Sequence, residues 1–178
     1  MLIIDLLYNL SVLIALTVLS GFINIRFKRT QLQSKILQGL LFGITAVVGM
    51  LNPFIPSERI IFDGRSIILS LCTLFFGPVS GIIASAITIA YRIYIGGSGT
   101  LLGTLVVCSS FLIGLIFYFR RARALKKELT SVQLYIFGLF VHIAMLILVL
   151  SLPSNRIDDT YKIIFFTLLG IFPLVTII

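Results

Sequence analysis

Long apolar runs alternate with short polar segments along the whole chain. Most of these runs approach or exceed the roughly 20 residues that a helix needs to cross about 30 Å of hydrocarbon. The pattern therefore predicts an all-α fold, a polytopic transmembrane helical bundle, in a single domain over residues 1–178. The runs occupy residues 3–24, 36–52, 60–95, 101–119, 131–152 and 162–178.

The run over residues 60–95 is too long for one span, because a single helix of that length would extend about 54 Å. Gly77 and Pro78 lie near its middle. Proline removes a backbone donor and disfavours helix in the preceding residue, while glycine permits a tight turn. We therefore predict two antiparallel helices, residues 60–76 and 79–95, each about 25 Å long, in a bundle of about seven spans.

The distribution of charge supports this division. The chain is 59% hydrophobic and 11% charged, with a net charge of +8 and a mean hydropathy of +1.17. With seven spans and the N-terminus outside, the inner loops carry a net charge of +8 and the outer loops carry none, as expected when bases stay cytoplasmic. The first helix is then an N-terminal anchor. Glu128 is the one acid on the inner side, and the nine inner bases are Arg26, Lys28, Arg29, Lys35, Arg120, Arg121, Arg123, Lys126 and Lys127.

Small residues recur at helical spacing. Gly77, Gly81 and Ser85 follow one another every four residues, and the pairs Gly39/Gly43 and Gly99/Gly103 have the same spacing. Faces of this kind allow transmembrane helices to approach closely. They predict a compact bundle in which Gly77 and Pro78 form the turn and Gly81 and Ser85 pack against a neighbouring helix.

Two arginines are the main candidates for a site. In the predicted hairpin, Arg65 near the start of one helix and Arg92 near the end of the next lie at similar depth, at the outer end. Either they extend to lipid headgroups, or Asp63 neutralises one of them. The alternative is an outward-facing cavity that binds a small, negatively charged or carbonyl-rich ligand, because guanidinium groups offer forked donors.

Neighbouring residues extend this candidate site. Gly96, Gly97 and Gly99 would leave backbone N–H groups free at the rim of such a cavity. Tyr91 either belongs to an interfacial aromatic belt, which we favour, or lines the cavity. The candidate ligand-binding residues are Asp63, Arg65, Tyr91, Arg92, Gly96 and Gly97.

Other chemistry has little support in the sequence. We find no nucleophile–base pair, carboxylate dyad, phosphate loop or metal-ligand cluster, so we expect no catalytic residues, metal or cofactor in this chain. Cys72 and Cys108 lie inside apolar runs without metal-binding spacing. The basic clusters indicate a membrane surface and not nucleic acid. His142 is more typical of a neutral side chain bonded to another helix than of a pH sensor.

Three motifs in order resemble a known family. The segments DGRS (63–66), FFGPVSG (75–81) and YRIYIGGSG (91–99), followed by a further helix and a basic loop, are similar to the LytS/YhcK-type five-transmembrane receptor family, 5TMR-LYT. The resemblance runs from about Gly39 to the end of the chain. The family's signature positions correspond to Asp63, Arg65, Gly77, Pro78, Gly81, Arg92, Gly96 and Gly97.

This resemblance implies a membrane sensor in the bacterial inner membrane. It implies the input half of a two-component sensor histidine kinase or of a diguanylate cyclase, in some members linked to control of the cell wall and autolysis. We accordingly expect the natural chain to continue past Ile178 into a cytoplasmic output domain, through which it would form a homodimer. The family name counts five spans, which differs from our count of about seven.

A second, weaker likeness connects residues 36–178 with the substrate-binding S components of energy-coupling-factor vitamin transporters. It rests on the order of a short outer loop, a helix, Gly-Pro-x-x-Gly, a return helix and a basic loop. Such a protein would bind a solute in its outer half and have no output domain. A third class, a purely structural membrane subunit, would give no ligand response that depends on Arg65 or Arg92.

Overall fold

The computed structural model describes residues 2–51, 54–57, 60–62, 64–97, 99–123 and 129–150. It is an all-α bundle with one short β-hairpin, which confirms the predicted fold class. The predicted span over residues 162–178 lies outside the described residues. The elements in chain order are α1 (Leu2–Arg26), α2 (Leu32–Leu51), β1 (Phe54–Ser57), β2 (Ile60–Phe62), α3 (Arg65–Ile95), α4 (Thr100–Arg123) and α5 (Ser131–Leu150).

Within the described ranges, four helices have the length and hydropathy of membrane spans. They are α2, α3, α4 and the part of α5 up to Leu148, and a shorter apolar helix covers Ser11–Arg26. The chain is therefore a multi-pass membrane protein in contact with the lipid bilayer. The count of about seven spans stays a prediction.

Gly77 interrupts α3. Its backbone angles are φ 83° and ψ −173°, which no helical residue adopts and which glycine alone tolerates easily. Pro78 follows as the first residue of the next helical segment, where its missing N–H would have no helical partner anyway. We call residues 65–76 the first arm of α3 and residues 78–95 the second arm.

The two arms fold back on each other beside α4. A Cβ atom placed on Gly81 would collide with Thr73 Oγ1, although a straight helix would separate these residues by about 12 Å. Along α4, a Cβ placed on Gly77 would lie 3.0 Å from the Tyr118 ring, and one placed on Gly114 would lie 2.8 Å from Thr73 Cβ. Both arms therefore run from Gly77 toward the start of α4. We call this end of the bundle the Gly77 end and the opposite end the Arg92 end.

Helix α2 packs against the second arm and runs in the same direction. A Cβ on Gly39 would lie 2.9 Å from the Ser80 carbonyl oxygen, and one on Gly43 would lie 3.1 Å from Ala84 Cα. These approaches leave no room for side chains at positions 39 and 43. The predicted packing role of Gly39 and Gly43 is thus present in the structure.

The start of α3 differs from our prediction. Residues 60–62 form β2, which pairs antiparallel with β1 through Phe54↔Phe62 and Ser57↔Ile60. The predicted helix over residues 60–76 was therefore wrong at residues 60–62 and at Gly64, and the first arm extends only about 18 Å. Ile60, Ile61 and Phe62 are strand-favouring residue types, and Gly64 precedes the helix.

The core lies between α2, the two arms and α4, and α1 joins it through Leu13 and Leu16. A smaller cluster, Leu74, Phe137 and Val141, attaches α5 to the first arm. Because the first arm contributes to both clusters, its position fixes the rest of the bundle. The main cluster contains Leu16, Phe42, Ala46, Ile68, Leu69, Cys72, Phe76, Ala84 and Val107.

Candidate functional site

The folded-back arms place Arg65 and Arg92 at the same end of the bundle. Counted from the turn by the helical rise, Arg65 lies about 17 Å away on the first arm and Arg92 about 21 Å away on the second. Their side chains are 5% and 6% exposed. Both guanidinium groups are thus enclosed by protein at similar depth, which is the arrangement that the predicted hairpin required.

Arg92 lies along the first turn of α4. A Cβ on Gly103 would lie 2.6 Å from Arg92 Nε and 3.1 Å from its Cδ, and one on Gly99 would lie 2.9 Å from Nη2. Any side chain at these two positions would displace the arginine. Gly99 and Gly103, which we predicted as a helix-packing face, therefore make room for a charged side chain instead.

Arg65 contacts the end of α2. Its Nη1 donates a hydrogen bond to Met50 Sδ at 3.2 Å, and Met50 is itself buried. A thioether sulfur is a weak acceptor compared with a carboxylate or phosphate oxygen. The contact ties the first arm to the end of α2.

The glycines after Arg92 shape the turn into α4. Gly96 and Gly97 have φ values of 70° and 88°, which L side chains rarely adopt. The Gly96 N–H donates to Arg92 O at 3.2 Å, and the Gly97 carbonyl accepts from Thr100 N–H at 3.2 Å. The expected free N–H group at Gly96 is therefore absent, because it closes the end of the helix.

Two other predicted residues have different outcomes. Tyr91 is half-buried, with its ring centroid 6.3 Å from that of Tyr94. Tyr94 is 84% exposed, so this pair faces outward at the Arg92 end, as interfacial tyrosines do. Asp63 lies outside the described residues.

A polar stripe leads from Arg92 toward the middle of the bundle. Ser85, Thr88 and Arg92 follow Gly81 at the spacing that keeps residues on one helical face. All three are buried. Thr88 Oγ1 donates to Ala84 O at 2.8 Å, whereas Ser85 Oγ is buried with no hydrogen-bond partner in the part of the chain described. A buried hydroxyl of this kind favours a polar occupant nearby.

Other residues with potential chemistry lie away from these arginines. His142 is fully buried, and its Nδ1 lies 2.6 Å from the Gly138 carbonyl oxygen of its own helix. Cys72 and Cys108 are free thiols, the first buried and the second exposed. Among the described residues, no group of three potential metal ligands comes together.

Met50 was not among the predicted site residues, and Gly99 and Gly103 were predicted only to pack helices together. Nothing in the spacing of Met50 connects it to Arg65. The glycine pair did carry a signal, because it directly follows Arg92 across a short turn.

Comparison with protein-family models gives a match over most of the chain. Residues 14–178 match the model of a family described as 5TMR of 5TMR-LYT. A search of curated proteins and a search of solved structures gave no match. The likeness to transporter S components therefore has no support.

Proposed function

Because this chain belongs to the 5TMR family of 5TMR-LYT, we propose that it binds a small anionic ligand beside Arg65 and Arg92 and relays that event to an output domain. Domains of this family are membrane sensor domains of signalling proteins. The proposal adds a site, a ligand class and a route to that role. The candidate site residues are Arg65, Arg92 and the stripe that includes Ser85.

The main support for this proposal is the burial of both guanidinium groups at the Arg92 end. An arginine that extends to lipid headgroups keeps its charged group at the surface, but these two side chains are 5% and 6% exposed. Enclosing such groups is costly and marks functional positions in membrane proteins. Glycines at 99 and 103 preserve the space that Arg92 occupies.

The ligand class follows from the donors. A guanidinium group has five N–H donors in a fixed fork and pairs best with carboxylate or phosphate oxygens. Met50 Sδ is a weak acceptor for Arg65 Nη1, and Ser85 Oγ offers a hydroxyl deeper in the bundle. A compact carboxylate or phosphate compound fits this set.

The relay uses the hairpin of α3. The first arm contacts α2, α4 and α5, and the second arm carries Arg92. A ligand bound between the arginines would favour one packing of the arms over another, and coupling requires this difference in affinity. We propose that a kinase or diguanylate cyclase domain after Ile178 receives the change, with control of the cell wall as one outcome.

A thermal unfolding assay in mild detergent tests the site. The probes are citrate, succinate, inorganic phosphate and glycerol 3-phosphate at matched ionic strength. We expect at least one probe to raise the unfolding midpoint of the wild type. In Arg92→Lys and in Arg65→Lys, the apparent affinity for that probe, taken from the dependence of the midpoint on probe concentration, should fall at least about tenfold because the forked guanidinium is lost.

The matched control is Arg123→Lys, since Arg123 is exposed at the Gly77 end. Its response should equal that of the wild type. An equal loss in the control, or a full response in Arg92→Lys and Arg65→Lys, would contradict the proposed site.

Orientation is part of the proposal, with the Arg92 end outside, the N-terminus outside and the Gly77 end in the cytoplasm. The test places single cysteines at Gly97 and at the exposed Ala122, in a background lacking Cys72 and Cys108. A membrane-impermeant maleimide should label residue 97 in intact cells and residue 122 only after permeabilisation. Labelling of residue 122 in intact cells would contradict the proposed orientation and indicate that the Gly77 end lies outside.

A further inference from the structure

Two arginines at the Gly77 end lie over the aromatic rings that end the first arm. Arg29 Cζ lies 5.7 Å from the centroid of the Phe76 ring, and Arg121 Cζ lies 5.6 Å from that of Phe75. Arg29 comes from the segment between α1 and α2, and Arg121 from the last turn of α4. Consecutive helical residues point about 100° apart, so the two arginines flank the turn on different sides. We call these four residues the arginine–phenylalanine clamp.

The clamp orients hydrogen-bond donors. A guanidinium group over an aromatic face keeps its N–H groups at the edge of its plane, where oxygen atoms can accept from them. The stacking also limits the conformations of a long side chain before any ligand arrives, which lowers the entropy cost of binding. The clamp is therefore better prepared for a phosphate group than an unconstrained surface arginine.

The surroundings of the clamp are strongly positive. Residues 26–35 and 120–123 together contain seven bases and no acid. Arg29 and Arg123 are exposed, and Arg121 is half-buried. The second arm also begins at this end, and a helix N-terminus carries partial positive charge. A phosphate group would be attracted from all of these directions.

An apolar surface adjoins the charged one. Phe22 and Ile25, near the end of α1, are 64% and 85% exposed. They precede Arg29 by only a few residues, so this part of the chain offers apolar contacts and a guanidinium group close together in sequence. This combination fits a molecule with a phosphate group and acyl chains better than a soluble phosphate compound.

We propose that the arginine–phenylalanine clamp binds an anionic phospholipid, with the headgroup phosphodiester accepting from Arg29 and Arg121 and an acyl chain passing along α1. The site lies at the end of the bundle opposite the candidate ligand site, and it does not depend on that site's function. Because the clamp holds both sides of the Gly77 turn, the bound lipid stabilises the folded-back arrangement of the two arms.

Native mass spectrometry of the detergent-purified full chain tests this proposal, with titration of dioleoylphosphatidylglycerol against dioleoylphosphatidylcholine. The wild type should bind the anionic lipid preferentially. Arg29→Gln/Arg121→Gln should weaken that binding at least about tenfold, since two charge-assisted bonds to phosphate are lost. The control Lys28→Gln/Arg123→Gln removes the same charge nearby and should weaken it less than about threefold.

Each other outcome overturns the proposal. An equal loss in the control pair would show diffuse attraction without a site, and unchanged binding in the clamp variant would exclude the two arginines. Binding of inorganic phosphate as tightly as the lipid would indicate a soluble ligand. Should the double variant not elute as a folded species, Arg29→Gln and Arg121→Gln are tested singly, and each should lose about threefold.

Discussion

Arginine side chains occupy both ends of the α3 hairpin in two different environments. At the Arg92 end, Arg65 and Arg92 are enclosed by protein, and glycines at 99 and 103 leave the space that Arg92 fills. At the Gly77 end, Arg29 is exposed and Arg121 is half-buried, and both lie over phenylalanine rings. Arginine side chains are thus buried in the bundle at the Arg92 end, whereas at the Gly77 end they stack on phenylalanine rings at or near the surface.

The difference indicates how each end responds to change. An enclosed guanidinium depends on the shape of its surroundings, so neighbouring positions should be as sensitive as the arginine itself. A stacked surface guanidinium depends on one favourable contact and on long-range charge, and its neighbours should tolerate substitution. Three predictions test this contrast, and the first concerns the turn that connects the two ends.

Gly77→Ala should have the largest effect on stability. The substitution forces a side chain into a backbone region that is almost exclusive to glycine, and its Cβ would lie 3.0 Å from the Tyr118 ring. Together these costs amount to about 3 kcal/mol. The measurement is the free energy of unfolding by SDS titration in mixed micelles.

Gly21→Ala in α1 is the matched control, because no atom lies within 4 Å of a Cβ placed there. It should lose no stability. If Gly77→Ala is as stable as this control, the turn does not have the backbone conformation described.

Gly103→Ala should have an intermediate effect, with a cost of about 2 kcal/mol, because the new methyl group crowds the Arg92 side chain. In an Arg92→Ala background the same substitution should cost at least about 1 kcal/mol less. The double-mutant cycle, measured by the same unfolding assay, isolates the contact. A cost that is unchanged in that background would show that Gly103 is needed for some other reason.

Arg29→Gln should have the smallest effect, a loss of about 0.5 kcal/mol in phosphatidylcholine-containing micelles, since it removes one exposed contact with Phe76. Lys28→Gln changes the same charge at an exposed neighbour and should be neutral. If Arg29→Gln lost as much free energy of unfolding as Gly103→Ala, the two ends would not differ in their sensitivity to substitution.

The sequence predicted the hairpin well because two independent signals agreed on it. Gly77 and Pro78 restrict the backbone locally, and the side on which bases fall restricts the direction of each helix. The depth of Arg65 and Arg92 followed from this geometry. The start of α3 was mispredicted because Ile60, Ile61 and Phe62 are equally apolar in a helix and in a strand, and hydropathy alone does not distinguish the two.

Contacts between side chains could not be predicted from the sequence. The bond from Arg65 to Met50 joins residues whose spacing carries no pattern. Gly99 and Gly103 have the spacing of a helix-packing pair, and only the path of the chain after Gly97 shows that an arginine fills the groove between them. The spacing therefore identified the two glycines as sites of close packing, but it did not identify Arg92 as the side chain that packs there.

The connection between the arms is a single non-helical residue with two rotatable torsions. Such a joint has no slack, so one arm cannot slide along the other or change its register without breaking helical hydrogen bonds. A displacement of Arg92 relative to the first arm must then come from a tilt or rotation of the second arm about Gly77. A change in the torsions of Gly77 therefore alters the angle between the arms while the helical hydrogen bonds within each arm stay intact.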